Sequence, residues 1–188
     1  MRNRFYEDAV EAGLRPEKEK AGLLPTRPSE DGITSGNGDR RPADVWLPRN
    51  PQGRGEALDF ACTSGLRTDI LSRVVSNPNV VFELYEDYKV NYKDTGQTCE
   101  AQGFNFTPMI MEASSGAWSP TARKVLDNVA RGQSAAWSTA HNITSLRIAQ
   151  RMSIALHREN ARAIMKRMVP QTASPTPSGW AAYEEEGV

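Results

Sequence analysis

Two aspartates, Asp44 and Asp59, interrupt neighbouring apolar segments of the chain. Residues 43–47 (ADVWL) and 57–63 (ALDFACT) have the composition of strands, and the Pro- and Gly-rich residues 48–55 between them predict a hairpin. If Leu47 pairs with Glu56, Asp44 lies directly opposite Asp59, with the two Cβ atoms about 4.5–5.5 Å apart on one face. Carboxylates that close repel each other unless a cation lies between them.

The opposed aspartates indicate a half-site for a hard cation. Mg²⁺ is commonly bound by one or two carboxylates together with waters and substrate phosphates, and Mn²⁺ uses similar ligands. The alternative is a pair of solvated aspartates on the open face of an edge hairpin. The residue pattern alone leaves both interpretations open.

The segments that must position these aspartates alternate in a definite order. Residues 2–12 predict a helix, and residues 15–24 an exposed strand that precedes the hairpin. A helix is predicted over residues 79–101, a strand over 104–111 despite Pro108, and two further helices over 119–131 and 135–168. The order helix, three strands, helix, strand, two helices predicts an α/β (α+β) fold, and argues against a doubly wound nucleotide-binding fold.

Composition limits the domain organisation and the partners. The 188 residues predict one domain, residues 1–169, with a mobile loop at 26–41 and a disordered tail at 170–188. Lys+Arg and Asp+Glu both number 23, so any surface that attracts nucleic acid must be local. No segment is apolar enough for a membrane span or a signal peptide, which predicts an intracellular protein without a membrane partner.

Four arginines of the last predicted helix form a candidate surface for DNA or RNA. Arg147, Arg151, Arg158 and Arg162 follow a spacing of i, i+4, i+11 and i+15, which keeps them on one side of a helix. Such a row can contact phosphates. The alternative is an outer face that only keeps the helix soluble.

Several segments together resemble a known family. The segments are RPADV (41–45), ALDFACTS (57–64), CEAQGF (99–104), TPMIME (107–112), GAW (116–118), SIAL (153–156) and RENA (158–161). They resemble the restriction-endonuclease-like domain of site-specific non-LTR retrotransposons, a branch of the PD-(D/E)XK nucleases, and the terminal helix of retroelement-derived open reading frames. The resemblance covers roughly residues 2–168, and the family's core order is helix, three strands, helix, strand.

The resemblance implies a metal-dependent DNA endonuclease derived from a retroelement. Asp44 and Asp59 would hold Mg²⁺ or Mn²⁺, and the protein would be nuclear. The superfamily's lysine, two residues after the second acid, is replaced here by Ala61. In the retrotransposon branch this lysine lies on the following helix near a tyrosine, and Lys89 and Lys93 are the candidates, four residues apart.

The departures from the family pattern leave a second functional hypothesis open. The Cys/His zinc motif and the reverse transcriptase that precede this domain in the family are not in the sequence, which predicts a severed or domesticated fragment. The alternative function is therefore a catalytically inactive nucleic-acid-binding module or a structural subunit. Such a subunit would bind protein partners through its C-terminal helices and tail.

Overall fold

A four-stranded mixed sheet forms the centre of the fold, in a computed structural model that describes residues 1–25 and 42–168. The strands are β1 (Glu17–Lys18), β2 (Val45–Leu47), β3 (Glu56–Thr63) and β4 (Asn105–Glu112). The α-helices are α1 (Arg2–Glu11), α2 (Leu71–Ser76), α3 (Val80–Asn91), α4 (Thr95–Ala101), α5 (Pro120–Trp137) and α6 (His141–Met168), with a short 3₁₀ helix at Tyr92–Asp94. The predicted α+β class is confirmed.

The strands lie in the spatial order β1-β2-β3-β4. The first three are antiparallel neighbours, and β4 runs parallel to β3. Leu47 pairs with Glu56 and Val45 with Leu58, so the register predicted for the hairpin is confirmed. Pro108, which cannot donate to a ladder, lies on β4 at the edge of the sheet, where a proline is tolerated.

Helices cover both faces of the sheet because side chains along each strand alternate between them. On one face, Val45 and Leu58 pack with α1, α5 and α6 in the largest apolar cluster. On the other face, Ala57 packs with Cys99 of α4. Further along the same face, Ile110 packs with Phe82 of α3. The aspartates at 44 and 59 alternate with the first group, so they lie on the α3 side of the sheet.

The prediction of a single helix over residues 79–101 is wrong, because the structure has two α-helices there, α3 and α4. Lys93 and Asp94 adopt positive φ values of 52° and 54°, which end α3 before α4 begins. A left-handed residue with a side chain is uncommon, and nothing in the sequence marks the break. The preceding helix α2 was not predicted at all.

Two other predicted boundaries also change. The exposed strand predicted over residues 15–24 shrinks to two residues, because Arg15 and Glu19 on either side have positive φ. The helix predicted to end near residue 131 continues through Gly132 to Trp137. It ends where Ser138 turns left-handed with φ 51°.

The chain divides into two compact units, Met1–Leu156 and His157–Val188. The first contains the sheet and its helices, and the described part of the second is the end of α6. The predicted loop at 26–41 and tail at 170–188 lie outside the described residues. In the part of the chain that the structure describes, no helix is long and apolar enough to cross a membrane.

Candidate functional site

Asp59 and Lys89 form the central contact of the site. Asp59 lies midway along β3, between Ala57 and Ala61 on the face that α3 covers. Lys89 Nζ lies 2.7 Å from Asp59 Oδ2, and each side chain keeps 24% of its surface exposed. An ion pair that is partly shielded from water is therefore held between a strand and a helix.

The packing of α3 explains why Lys89 reaches Asp59 on β3. The first turns of α3 bury Val81 and Phe82 against β4 and its neighbours. Tyr85 follows on the same side of the helix, and Lys89 one turn later, because residues four apart share a helix face. The Lys89 ammonium lies 6.0 Å from the Tyr85 ring centroid. Apolar residues thus hold α3 against the sheet, and the helical repeat then places Lys89 on the side that faces Asp59.

Asp44 precedes β2, at the position that continues the register towards Asp59. Its Oδ2 atom accepts a hydrogen bond from the Phe60 amide at 2.9 Å. Its Oδ1 atom lies 3.5 Å from the guanidinium of Arg2. The carboxylate therefore extends the ladder by one bond and is also paired with a cation from α1.

The electrostatics couple the three charged groups. Burial raises the pKa of Asp59, the contact with Lys89 lowers it in part, and the charge of Asp44 raises it again. Burial alone lowers the pKa of Lys89, but the hydrogen bond and the charge of Asp59, with smaller contributions from Tyr85 and Asp44, leave it raised. Both aspartates therefore act on one ammonium.

The two pKa shifts describe the pair differently. The raised pKa of Lys89 marks a favoured ammonium, whereas the raised pKa of Asp59 marks a carboxylate whose charge is not fully compensated. For Asp59, burial is the largest effect on the pKa and outweighs the contact with Lys89, and the charge of Asp44 adds a smaller increase. The 2.7 Å contact between Lys89 Nζ and Asp59 Oδ2 identifies the pair as an ion pair.

Lys93 lies elsewhere. It is exposed and belongs to the break after α3, where its positive φ removes it from the helical repeat. The expectation that Lys89 and Lys93 share a helix face is therefore wrong. The Lys93 ammonium lies 5.4 Å from the Tyr92 ring centroid.

The four arginines of the last predicted helix have different surroundings. Arg151 Nη1 binds the carboxylates of Asp8, at 2.8 Å, and Glu11, at 3.2 Å. Arg151 is therefore a partly buried residue that pairs with the acids of α1, and its role in a nucleic-acid surface stays a prediction. Arg147 is exposed, with its guanidinium 5.4 Å from the Trp137 ring centroid.

The remaining two arginines lie in the second unit. Arg158 is exposed, and Arg162 forms an exposed pair with Glu159. The row predicted from the sequence therefore contains exposed guanidinium groups at three of its four positions. Whether it contacts nucleic acid stays a prediction.

Sequence reasoning missed two groups that act on Asp44. The Arg2 guanidinium and the Phe60 amide reach it from α1 and β3. The hairpin register would have pointed to the amide, since Phe60 follows the residue that faces Asp44. The position of Arg2 depends on how α1 packs, and the sequence carries no signal for it.

The donor set fits a hard cation of the kind that keeps waters. Within residues 1–25 and 42–168, no three His, Cys, Asp or Glu side chains are grouped as a metal cluster. Two carboxylates suffice for Mg²⁺, which completes its shell with water and phosphate. The observation that bears on such an ion is the position of Asp44 and Asp59 on one face of the hairpin.

The comparisons with known proteins give no family for this chain. No protein-family model, curated protein or solved structure matches it significantly. The resemblance to retrotransposon endonucleases therefore stays a prediction from the residues quoted above.

Proposed function

We propose that this chain is a metal-dependent endonuclease domain that hydrolyses phosphodiester bonds in DNA. The observation that supports this best is the 2.7 Å contact between Lys89 and Asp59, on the sheet face that Asp44 shares. Two carboxylates and a lysine at one point are the groups such a reaction requires. The resemblance supports the same function and adds a retroelement origin and a nuclear location as parts of the proposal.

Each residue has a role in this proposal. Asp44 and Asp59 would hold Mg²⁺ or Mn²⁺, which when bound polarises a phosphate and lowers the pKa of water. Lys89 compensates the two carboxylates before substrate arrives and then donates to a phosphate oxygen or to the attacking water. Partial burial strengthens these interactions, because charges attract more strongly where water is excluded.

A catalytically inactive binding or structural module is the second candidate. The observation that favours it is the pairing of Asp44, which already accepts the Phe60 amide and contacts Arg2. A carboxylate with these two partners stabilises the hairpin without any cation. The two candidates differ in whether the same side chain is also a ligand.

Cleavage by the purified protein separates the candidates. Supercoiled plasmid and single-stranded DNA are incubated with Mg²⁺ or Mn²⁺, with EDTA as the metal-free control. Asp59→Asn removes one negative ligand at constant shape and should reduce the cleavage rate by about a hundredfold or more, because the metal contributes several kcal/mol to the transition state. Asp87→Asn, an exposed aspartate of α3, is the matched control and should cleave like wild type.

The lysines are tested in the same assay. Lys89→Ala should reduce cleavage strongly, because Lys89 contacts Asp59. Lys93→Ala should reduce it much less, because Lys93 lies at the break after α3. If wild type shows no metal-dependent cleavage, or if Asp59→Asn cleaves as fast as wild type, the inactive module becomes the better account.

A further inference from the structure

Three tyrosines form a row of tilted ring contacts beside the Asp59–Lys89 pair, with interplanar angles of 48° and 43°. We call Tyr85, Tyr88 and Tyr92 the tyrosine ladder. The ring centroids of Tyr85 and Tyr88 are 5.9 Å apart, and those of Tyr88 and Tyr92 are 5.6 Å apart. Tyr88 keeps 56% and Tyr92 49% of its surface exposed. A contiguous aromatic surface therefore faces solvent next to the proposed catalytic lysine.

The charged residues near the tyrosine ladder lie on different sides of α3. At 100° per residue, Lys89 lies on the same side of α3 as Tyr85, whereas Glu83 and Asp87 lie roughly opposite. Lys93 places its ammonium 5.4 Å from the Tyr92 ring centroid at the far end of the ladder. Lys89 therefore lies on the aromatic side of α3 and Lys93 beyond its end, whereas Glu83 and Asp87 lie on the other side.

A cleft continues from the ladder. Its volume is about 630 Å³, and Tyr85 and Tyr88 form part of its wall. Arg67 and Arg73 also line it, with Asp69 paired to Arg67 at 2.6 Å. The cleft therefore offers ring faces and guanidinium groups together, which is the combination that accepts a base and its phosphate.

We propose that the tyrosine ladder and this cleft bind unpaired nucleotides of a single-stranded nucleic acid, an inference that rests on the proposed function and names the form of its substrate. Aromatic rings stack on unpaired bases, whose faces a duplex hides, and do so with little sequence preference. The cations on the same side would contact the backbone. A strand on the ladder would bring a phosphodiester to Lys89, because Tyr85 borders both the cleft and the ion pair.

Binding without catalysis is the direct test. The probe is a fluorescein-labelled DNA strand of about 12 nucleotides, within the range that stacking sites span, measured by anisotropy in EDTA. Three comparison probes are an abasic strand of equal length, the corresponding duplex and the same sequence in RNA. Wild type should bind the single strand at least tenfold more tightly than the abasic strand or the duplex. The RNA shows whether the sugar is discriminated.

The ladder variants identify the rings. Tyr88→Ala and Tyr92→Ala should each weaken binding about fivefold or more, consistent with the measured range for base stacking, and Tyr88→Phe and Tyr92→Phe should restore it. Ile143→Ala removes an exposed apolar side chain of α6 and is the matched control. Far-UV circular dichroism checks that the exposed substitutions fold.

The outcomes separate this inference from the proposed function. Equal binding of wild type and both alanine variants, or equal binding of the abasic strand, would overturn the ladder as a stacking site. Ladder-dependent binding with no metal-dependent cleavage would support the ladder and overturn the nuclease. Metal-dependent cleavage of duplex plasmid at equal rates by wild type and the ladder variants, without ladder-dependent binding, would support the nuclease and overturn the ladder.

Discussion

The charge on Asp59 depends on one neighbour more than on any other. Its carboxylate is buried enough to raise its pKa, and Lys89 supplies the main opposing effect. Removal of the lysine leaves burial and the charge of Asp44, which both favour the protonated acid. We therefore expect Lys89→Gln to raise the pKa of Asp59 further, as measured by ¹³C NMR titration of its carboxyl carbon.

The reciprocal substitution tests the same contact from the other side. Asp59→Asn removes the largest interactions that raise the pKa of Lys89, and leaves burial, which lowers it, opposed only by Tyr85 and Asp44. The ¹⁵N titration of the Lys89 amine should shift to lower pH. An unchanged lysine titration would show that the pair does not form in solution.

Glu56 gives a prediction about stability. Burial raises its pKa, and hydrogen bonds with Thr107 and Asn50 oppose the shift only in part. The Thr107 hydroxyl donates to its Oε1 atom at 2.7 Å. Because the pKa of Glu56 is higher in the folded state than its ordinary value of about 4.3, this group contributes most to the stability of the fold below that pH. That contribution is lost as the pH rises through the raised pKa of the folded state.

Glu56→Gln keeps the acceptor for Thr107 and removes the charge. The variant should therefore lose less of its free energy of unfolding between pH 4 and pH 7 than wild type does, as measured by urea unfolding at both values. Glu83→Gln, at an exposed position of α3, is the control and should follow wild type. A variant that loses as much stability as wild type would show that Glu56 is solvated.

The sequence predicted the positions of Asp44 and Asp59 correctly because both depend on a local pattern. Asp44 and Asp59 face each other through the hairpin register, which the short connection and the apolar alternation determine. The choice between Lys89 and Lys93 required the break at Lys93, where backbone conformation overrides the helical repeat. No pattern of residue types marked that position.

At the scale of elements, α1 and α5 approach closely at Gly132. A Cβ built there would lie 2.8 Å from the carbonyl oxygen and 2.9 Å from the Cβ of Ala12. Gly→Ala in a free helix is stabilising, because glycine loses more entropy on folding. Here the added methyl meets backbone, so Gly132→Ala should lower the free energy of unfolding by about 1–3 kcal/mol in urea titrations.

The sign of that change is the test. A stabilised variant would mean that the helices are further apart than the structure has them. The same contact explains a boundary that the sequence placed wrongly. Glycine inside a helical pattern reads as a stop, but here its missing side chain permits the approach of α1. Packing with a distant element, which no local pattern contains, therefore explains why a glycine lies inside α5.

A buried acid ties the helices behind the sheet together. Asp8 of α1 is fully buried and accepts from Arg4 at 2.7 Å and from Arg151 of α6 at 2.8 Å. The side-chain amide of Gln133 on α5 donates to the Asp8 carbonyl oxygen at 2.8 Å. One residue of α1 thus links two later helices.

Two arginines of α6 should respond differently to substitution. Arg151→Met leaves a buried carboxylate short of a donor and should cost about 1–3 kcal/mol in the free energy of unfolding, measured in urea. Arg147→Met changes an exposed side chain and should cost little. In DNA binding, Arg147 is the informative position, because loss through Arg151 would follow from unfolding. Equal stability of the two variants would contradict the internal role of Arg151.

At the scale of the whole molecule, the sheet separates two layers with different tasks. The layer of α1, α5 and α6 contains the largest apolar cluster, while the layer of α3 and α4 carries the ion pair and the ladder. Sequence order predicted the class and the hairpin correctly. The position of α3 on the face of the ion pair depends on the parallel pairing of β4 with β3, which joins residues far apart in the chain.

That parallel pairing also sets the order in which charges meet during folding. The hairpin joins neighbouring segments and closes early, whereas β4 must return across a long crossover before α3 is held against the sheet. The two aspartates therefore come together before their lysine arrives. We expect refolding in stopped-flow experiments to be faster for Asp59→Asn than for wild type, and faster for wild type as protonation neutralises the carboxylates. The repulsion between the two carboxylates, which Lys89 offsets in the folded molecule, would thus slow its formation.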